Sequence, residues 1–152
     1  MFKRGFIFLD SQSYHVNKTI LLDDQSILSE YGDYFAKQGF IVELAHDGVE
    51  GLEKLRRDKE FDVALVDLKM PNMDGIEMIK EAHKAGNNAD MIILSRDEES
   101  EKADAIAAIK VGVCDWFDKS SIDMPQFFAR VKELAEGVPL EEVERILSVI
   151  RD

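Results

Sequence analysis

Four apolar segments of this chain each end in a polar residue suited to phosphate or metal chemistry. Ile20-Leu21-Leu22 runs into the pair Asp23-Asp24, and Val63-Ala64-Leu65-Val66 into Asp67. Ile92-Ile93-Leu94 ends in Ser95, and Trp116-Phe117-Asp118 in Lys119. The stretches between them carry apolar residues at helical spacing. Strands that are apolar on both faces and alternate with helices make an α/β domain, a doubly wound parallel sheet covered on both sides. In such a sheet the carboxyl ends of the strands share one edge, and ligands bind there. Three carboxylates, a hydroxyl and an ammonium then meet in one pocket, a set that suits Mg2+ and a phosphoryl group.

The chain divides into three parts. Residues 1–17 form an N-terminal extension with a small apolar patch, Phe6 to Leu9, and no clear period. Residues 18–136 form the α/β domain. Its first strand is expected over 18–23. Ile27, Leu28, Tyr31 and Phe35 then recur at helical spacing up to Gly39. A second strand is expected from Phe40 to Ala45. Asp47 and Glu50 have capping-box spacing, with Val49, Leu52 and Leu55 as the buried stripe of the helix that follows. Further strands are expected over 62–67, 91–94 and 113–117, with helices over 75–85, 99–111 and 124–136. Pro125 stands in the first turn of the last of these. After Gly137-Val138-Pro139, residues 137–152 read as an extra C-terminal helix. Its Leu140, Val143, Leu147 and Ile150 follow the a/d pattern of a packed seam.

Composition excludes several classes. With 19 basic and 31 acidic residues the net charge is −12, so the chain does not bind nucleic acid through its general field. The apolar fraction of 45% is that of a globular domain. No apolar run approaches membrane-spanning length. The patch after Lys3-Arg4 breaks at Asp10 and is too short for a signal peptide. A single cysteine, Cys114, excludes an internal disulfide framework and fits a reducing compartment, so a cytoplasmic location is expected. Cys114 itself is expected to be a buried small hydrophobe. His15, His46 and His83 have no metal-ligand spacing and are expected to face solvent.

The segment from Lys18 to about Glu136 resembles the receiver domain of two-component response regulators. The ordered motifs that carry the resemblance are Leu21-Leu22-Asp23-Asp24, then Val66-Asp67-Leu68-Lys69-Met70-Pro71-Asn72-Met73-Asp74-Gly75. Ile93-Leu94-Ser95 and Gly112-Val113-Cys114-Asp115-Trp116-Phe117-Asp118-Lys119 complete the set. The resemblance implies a flavodoxin-like sheet of five strands in the order 2-1-3-4-5. It implies that Asp67 is phosphorylated from a sensor histidine kinase or phosphotransfer protein, and that the domain catalyses only its own phosphorylation and dephosphorylation. It further implies Asp24, Asp67 and the backbone carbonyl of Lys69 as direct magnesium ligands, with Asp23 acting partly through water. Lys119 and Ser95 would contact the phosphoryl oxygens, and Trp116 would be the switch aromatic that follows Ser95.

Some residues depart from the family pattern. Ser120 follows Lys119 where the family usually has a proline behind a cis bond, so the resemblance alone does not fix the aim of Lys119. Arg96 stands beside Ser95 where a small residue is usual, and would either crowd the pocket or bind the phosphoryl group. Lys69 and Asp97 flank the route of the hydrolytic water and are expected either to pair across it or to be solvated.

Two other functions compete with the receiver reading. One is a phosphorylation-independent adaptor that works by dimerisation. The other is a phosphatase with an aspartyl intermediate, but such enzymes typically carry a second aspartate two residues after the nucleophile, where this chain has Lys69. At 152 residues no output domain is expected, so the chain reads as a single-domain regulator or as the receiver of a longer activator. The C-terminal stripe leads to a homodimer as the expected partner arrangement.

Overall fold

A computed structural model describes residues 16–23, 27–96, 102–137 and 140–151. Five parallel strands form one sheet: β1 (Lys18–Leu22), β2 (Ile41–Ala45), β3 (Val63–Asp67), β4 (Asp90–Ser95) and β5 (Asp115–Asp118). Their order is β2-β1-β3-β4-β5. The helices are α1 (Ile27–Lys37), α2 (Gly48–Arg57), α3 (Gly75–Lys84), α4 (Lys102–Lys110), α5 (Met124–Glu136) and a C-terminal α6 (Leu140–Arg151). The expected α/β order is therefore observed, with boundaries shifted by up to two residues among the described ones.

Alternation along the strands builds two cores. Ile20, Leu22, Ala64, Val66, Met91 and Ile93 pack with Leu52 and Leu55 of α2 and Met78, Ile79 and Ala82 of α3. Leu21, Val63, Leu65, Ile92 and Leu94 pack on the opposite face with Leu28, Tyr31 and Phe35 of α1 and Phe127, Val131 and Ala135 of α5. Period-two side chains with both faces covered are the signature of a parallel sheet between helical layers. The second core is rich in aromatics. Phe35 lies edge-on to Phe40 at 5.5 Å, to Phe128 at 5.1 Å and to Phe127 at 6.0 Å.

The buried stripe of α2 differs from the expected one. Val49 is half exposed, and Gly48, Gly51, Leu52 and Leu55 face inward. A Cβ on Gly51 would lie 1.9 Å from Leu22 Cδ2, so the glycine lets α2 sit close on β1. Cys114 also departs from expectation: it is exposed, at the amino end of β5, with its N–H bonded to the Met91 carbonyl. His46 and His83 face solvent as expected, and His15 lies outside the described residues.

α6 carries its described apolar side chains in the open. Ile146, Leu147, Val149 and Ile150 are all exposed, so the described part of the stripe is not covered within a single chain. No described helix is long and apolar enough to cross a membrane.

Candidate functional site

The strand order reverses between β1 and β3, and the ligand crevice of an open α/β sheet forms at such a reversal. Leu22 pairs with Val66, so Asp23 and Asp67 emerge side by side there. Asp67 is level with Leu94, and Ser95 with Asp118, so Ser95 and Lys119 leave the sheet on the same edge, one and two strands further along. Asp23, Asp67 and Ser95 are each about 1% exposed. The Lys119 side chain is 5% exposed, and its Nζ lies 3.1 Å from Asp67 Oδ1 and 3.3 Å from Asp23 Oδ2.

This arrangement is costly to build. Buried carboxylates require a cation or a full set of hydrogen bonds, because their desolvation is not otherwise repaid. Asp67 and Asp23 share the Lys119 ammonium. On α1, burial first, then the charges of Glu30 and Asp23, push the Tyr31 hydroxyl above its ordinary range. The donors are hard oxygens, the kind that magnesium takes. Asp24 lies outside the described residues. Among the described residues no set of three His, Cys, Asp or Glu side chains is grouped for a metal ion.

The loop after Asp67 is held from both sides. Leu68 N–H extends the ladder to the Leu94 carbonyl at 2.9 Å, and Gly75 N–H returns to the Leu68 carbonyl at 2.9 Å. A Cβ on Gly75 would sit 2.4 Å from the Asp67 carbonyl oxygen, so only glycine lets α3 begin directly beneath that residue. Asp74 caps α3 by accepting from Glu77 N–H. Asn72 adopts a left-handed φ of 70°, which asparagine tolerates better than most residues. Its amide donates to Asp47 Oδ2 at 2.9 Å. Hydrogen bonds from Glu50 N–H and then from Asn72 hold the Asp47 carboxyl below its usual range. A Cβ on Gly48 would lie 2.3 Å from the Met73 carbonyl. The sequence reading missed Gly48 and Asn72 as supports of this loop. Their signal was weak: an asparagine after proline, and a glycine just inside a capped helix.

Lys119 is aimed without a proline. Its peptide bond to Ser120 is trans. Asp118 instead caps a short 3-10 turn over Lys119–Ser121, accepting from both Ser120 N–H and Ser120 Oγ. The serine that departs from the family pattern thus closes the turn through its own hydroxyl. Arg130 of α5 bonds Asp115 at the start of β5 at 2.8 Å, tying that edge strand to its helix.

The remaining predicted site residues fall as follows. Ser95 Oγ donates to the Arg96 carbonyl at 3.1 Å. Arg96 is partly buried, and Asp97 lies outside the described residues. The half-exposed Lys69 side chain holds its ammonium 3.6 Å from Asp104 in the first turn of α4. Trp116 is partly buried against the core formed by α2 and α3.

Residues 19–132 match the family described as response regulator receiver domain. Response regulator MprA of Mycobacterium ulcerans is 31% identical over 128 residues, 84% of this chain and 53% of that protein. A transcriptional regulatory protein CpxR homolog of Haemophilus influenzae is 32% identical over 120 residues, 78% of this chain and 50% of the relative. The chain thus spans about half the length of these curated relatives. Among solved structures, a CheY-like receiver domain protein from Methanospirillum hungatei JF-1 superposes with a TM-score of 0.74. At 24% identity it covers 80% of this chain and 94% of its own, and speaks for the fold alone. The receiver domain of the Francisella response regulator 1452 gives 0.69 at 28% identity, covering 78% and 96%.

Proposed function

The chain belongs to the response regulator receiver family of two-component signalling, and on that premise we propose that Asp67 is its phospho-acceptor. One observation carries the assignment: Lys119 Nζ stands within 3.3 Å of both Asp67 and Asp23 in a buried pocket at the strand-order reversal. In the reaction, a carboxylate oxygen of Asp67 attacks phosphorus in line with the leaving atom of the donor. The new bond is an acyl phosphate, and the leaving atom departs with its electron pair. Lys119 moves its charge from the two carboxylates towards the phosphoryl oxygens. Ser95 exchanges its bond to the Arg96 carbonyl for one to a phosphoryl oxygen, and Trp116 repacks with that loop. Asp23, Asp24, Asp67 and the Lys69 carbonyl would hold Mg2+, which would supply further positive charge to the transferring group. Arg96 at the neighbouring position modulates the lifetime of the product.

The donor in this reading is a sensor histidine kinase or phosphotransfer protein, in the cytoplasm. The chemistry is confined to the domain's own carboxylate. The adaptor reading has less support, because a buried cluster of two acids and a lysine is an expensive way to build a constitutive scaffold. The phosphatase reading lacks its second acid, since Lys69 stands in that place. Incubation with magnesium and acetyl phosphate tests the proposal. One base-labile phosphoryl group per chain is expected, together with a change in the fluorescence of Trp116, the only tryptophan. No incorporation under any magnesium concentration would overturn it.

We further propose that residues 137–152 serve as a dimerisation element. A helix of 12 residues is marginal alone in water, and its described apolar residues are open. In a longer regulator the same helix would be the linker to an output domain. Truncation at Gly137, or Leu147→Asp with Ile150→Asp, is expected to give a monomer that still accepts phosphate. Light scattering checks this, and an unchanged mass would reject the dimer.

A further inference from the structure

The corner between β2 and α2 is bonded to both strand ends that carry the acids of the pocket. On one side the carbonyl of Ala45, the last residue of β2, accepts the Asp23 N–H at 3.1 Å. On the other, Asp47 Oδ2 accepts the Asn72 amide at 2.9 Å, from the loop that follows Asp67. Asp47 Oδ1 is engaged separately, accepting Glu50 N–H at 2.8 Å as the cap of α2. One carboxylate thus holds the start of a helix with one oxygen and the Asp67 loop with the other. Gly48 lies so near the Met73 carbonyl that a Cβ would meet it at 2.3 Å, so corner and loop are in direct contact. The loop at this point is strained. Met73 N–H bonds back to the Pro71 carbonyl at 2.8 Å around Asn72, and the φ of 70° at Asn72 makes this the rare form of a three-residue turn. Such a conformation persists only where its surroundings hold it.

We propose that Asp47 is a positioning residue for the pocket: the corner it caps sets how the Asp23 end of β1 and the Asp67 loop stand to one another, and with that the affinity for magnesium between them. The inference rests on the reading of Asp67 as the phospho-acceptor of a magnesium-dependent site. Magnesium demands near-ideal geometry from its oxygen ligands, so a displaced ligand lowers affinity. Within the sheet, β1 and β3 are held in register by their own ladder, which ends at Leu22 and Val66. Beyond that ladder the β2–α2 corner is a partner common to Asp23 and to the Asp67 loop. Without the bond from Asp47, Asn72 keeps its left-handed φ only against its own strain, and the turn after Lys69 relaxes. The Glu50 N–H and then the Asn72 amide hold the Asp47 carboxyl below its usual range, so it accepts as an anion at neutral pH. Hydrogen bonds to an ionised acceptor are the stronger kind.

The test titrates magnesium into wild type, Asp47→Ser, Asn72→Gly and the double variant with no phosphoryl donor present. Binding is followed by Trp116 fluorescence and by the rise in thermal midpoint that a bound ion produces. Serine caps a helix as well as aspartate but has a single oxygen, which the cap uses. Glycine takes a positive φ without strain and lacks the amide. Each single variant is expected to raise the magnesium Kd about three- to tenfold, the size of one net hydrogen bond, and the double variant by no more than either. The exchange of Asp47→Asn with Asn72→Asp restores the bond with donor and acceptor reversed and keeps both the cap and the net charge. It is expected to bring Kd back to within about twofold of wild type. Phosphorylation by acetyl phosphate slows in the single variants at limiting magnesium and recovers when magnesium saturates. A merely structural role would lower the thermal midpoint of the metal-free protein and leave Kd unchanged. That result, or an exchange variant no better than Asp47→Ser, overturns the proposal. Wild type that binds magnesium and accepts no phosphate overturns instead the assignment of Asp67, a separate and distinguishable failure.

Discussion

Lys119→Met is expected to slow phosphorylation of Asp67 by about 10²- to 10³-fold, the loss seen when one preorganised donor is removed from a site of developing charge. The methionine keeps most of the length of the side chain and removes its ammonium. That ammonium lies 3.1 Å from Asp67 and 3.3 Å from Asp23. The variant is also expected to be less stable without magnesium, because two buried carboxylates lose the charge they share. Added magnesium should recover more of the stability than of the rate, since it replaces charge but not the position of the Lys119 ammonium. Stopped-flow fluorescence with acetyl phosphate, alongside thermal melts with and without magnesium, measures both effects. A rate within threefold of wild type would remove Lys119 from the reaction.

Phe35→Ala carries the largest expected cost in stability, about 3–5 kcal/mol. Phe35 is fully buried and lies at the centre of the ring cluster that joins α1 to α5. Truncation opens a cavity between rings from three elements, which cannot all collapse into it. A domain with an overall stability of 5–15 kcal/mol would survive with a visibly lower urea midpoint, or fail to fold at the lower end of that range. Phe35→Leu fills most of the space and is expected to cost markedly less. Urea unfolding followed by circular dichroism separates the two. Equal midpoints for Phe35→Ala and wild type would show that the cluster contributes packing without energy.

The sheet was legible because its strands announce themselves twice. Runs such as Ala64-Leu65-Val66 are apolar on both faces, and each ends in a residue of evident chemistry. That pattern placed Asp23, Asp67, Ser95 and Lys119 on one edge, where the structure also puts them. Less legible were features decided by close approach in three dimensions. Gly51 takes the inward position assigned to Val49 because α2 lies too near Leu22 for any side chain there. Cys114 is exposed because the chain enters the sheet only at Asp115, one or two residues later than its apolar run suggests. The contact of Lys69 with Asp104 could not be read from sequence, since it depends on where the first turn of α4 lies. The departure at Ser120 pointed to an unfixed Lys119, yet a serine hydroxyl and an aspartate cap close the turn locally. Asp24 and Asp97 lie outside the described residues, and the roles given to them rest on the resemblance of the sequence.

Peptide-level mass spectrometry after treatment with acetyl phosphate and magnesium tests the central claim most directly, with wild type and Asp67→Asn run in parallel. Asparagine preserves the shape of the buried side chain and removes the nucleophile, so the variant should fold and should not be labelled. The account predicts a single base-labile phosphoryl group in wild type, located on the peptide that contains Asp67, and none in Asp67→Asn. Equal labelling of the two proteins, or a label on any other residue of the wild type, would contradict it.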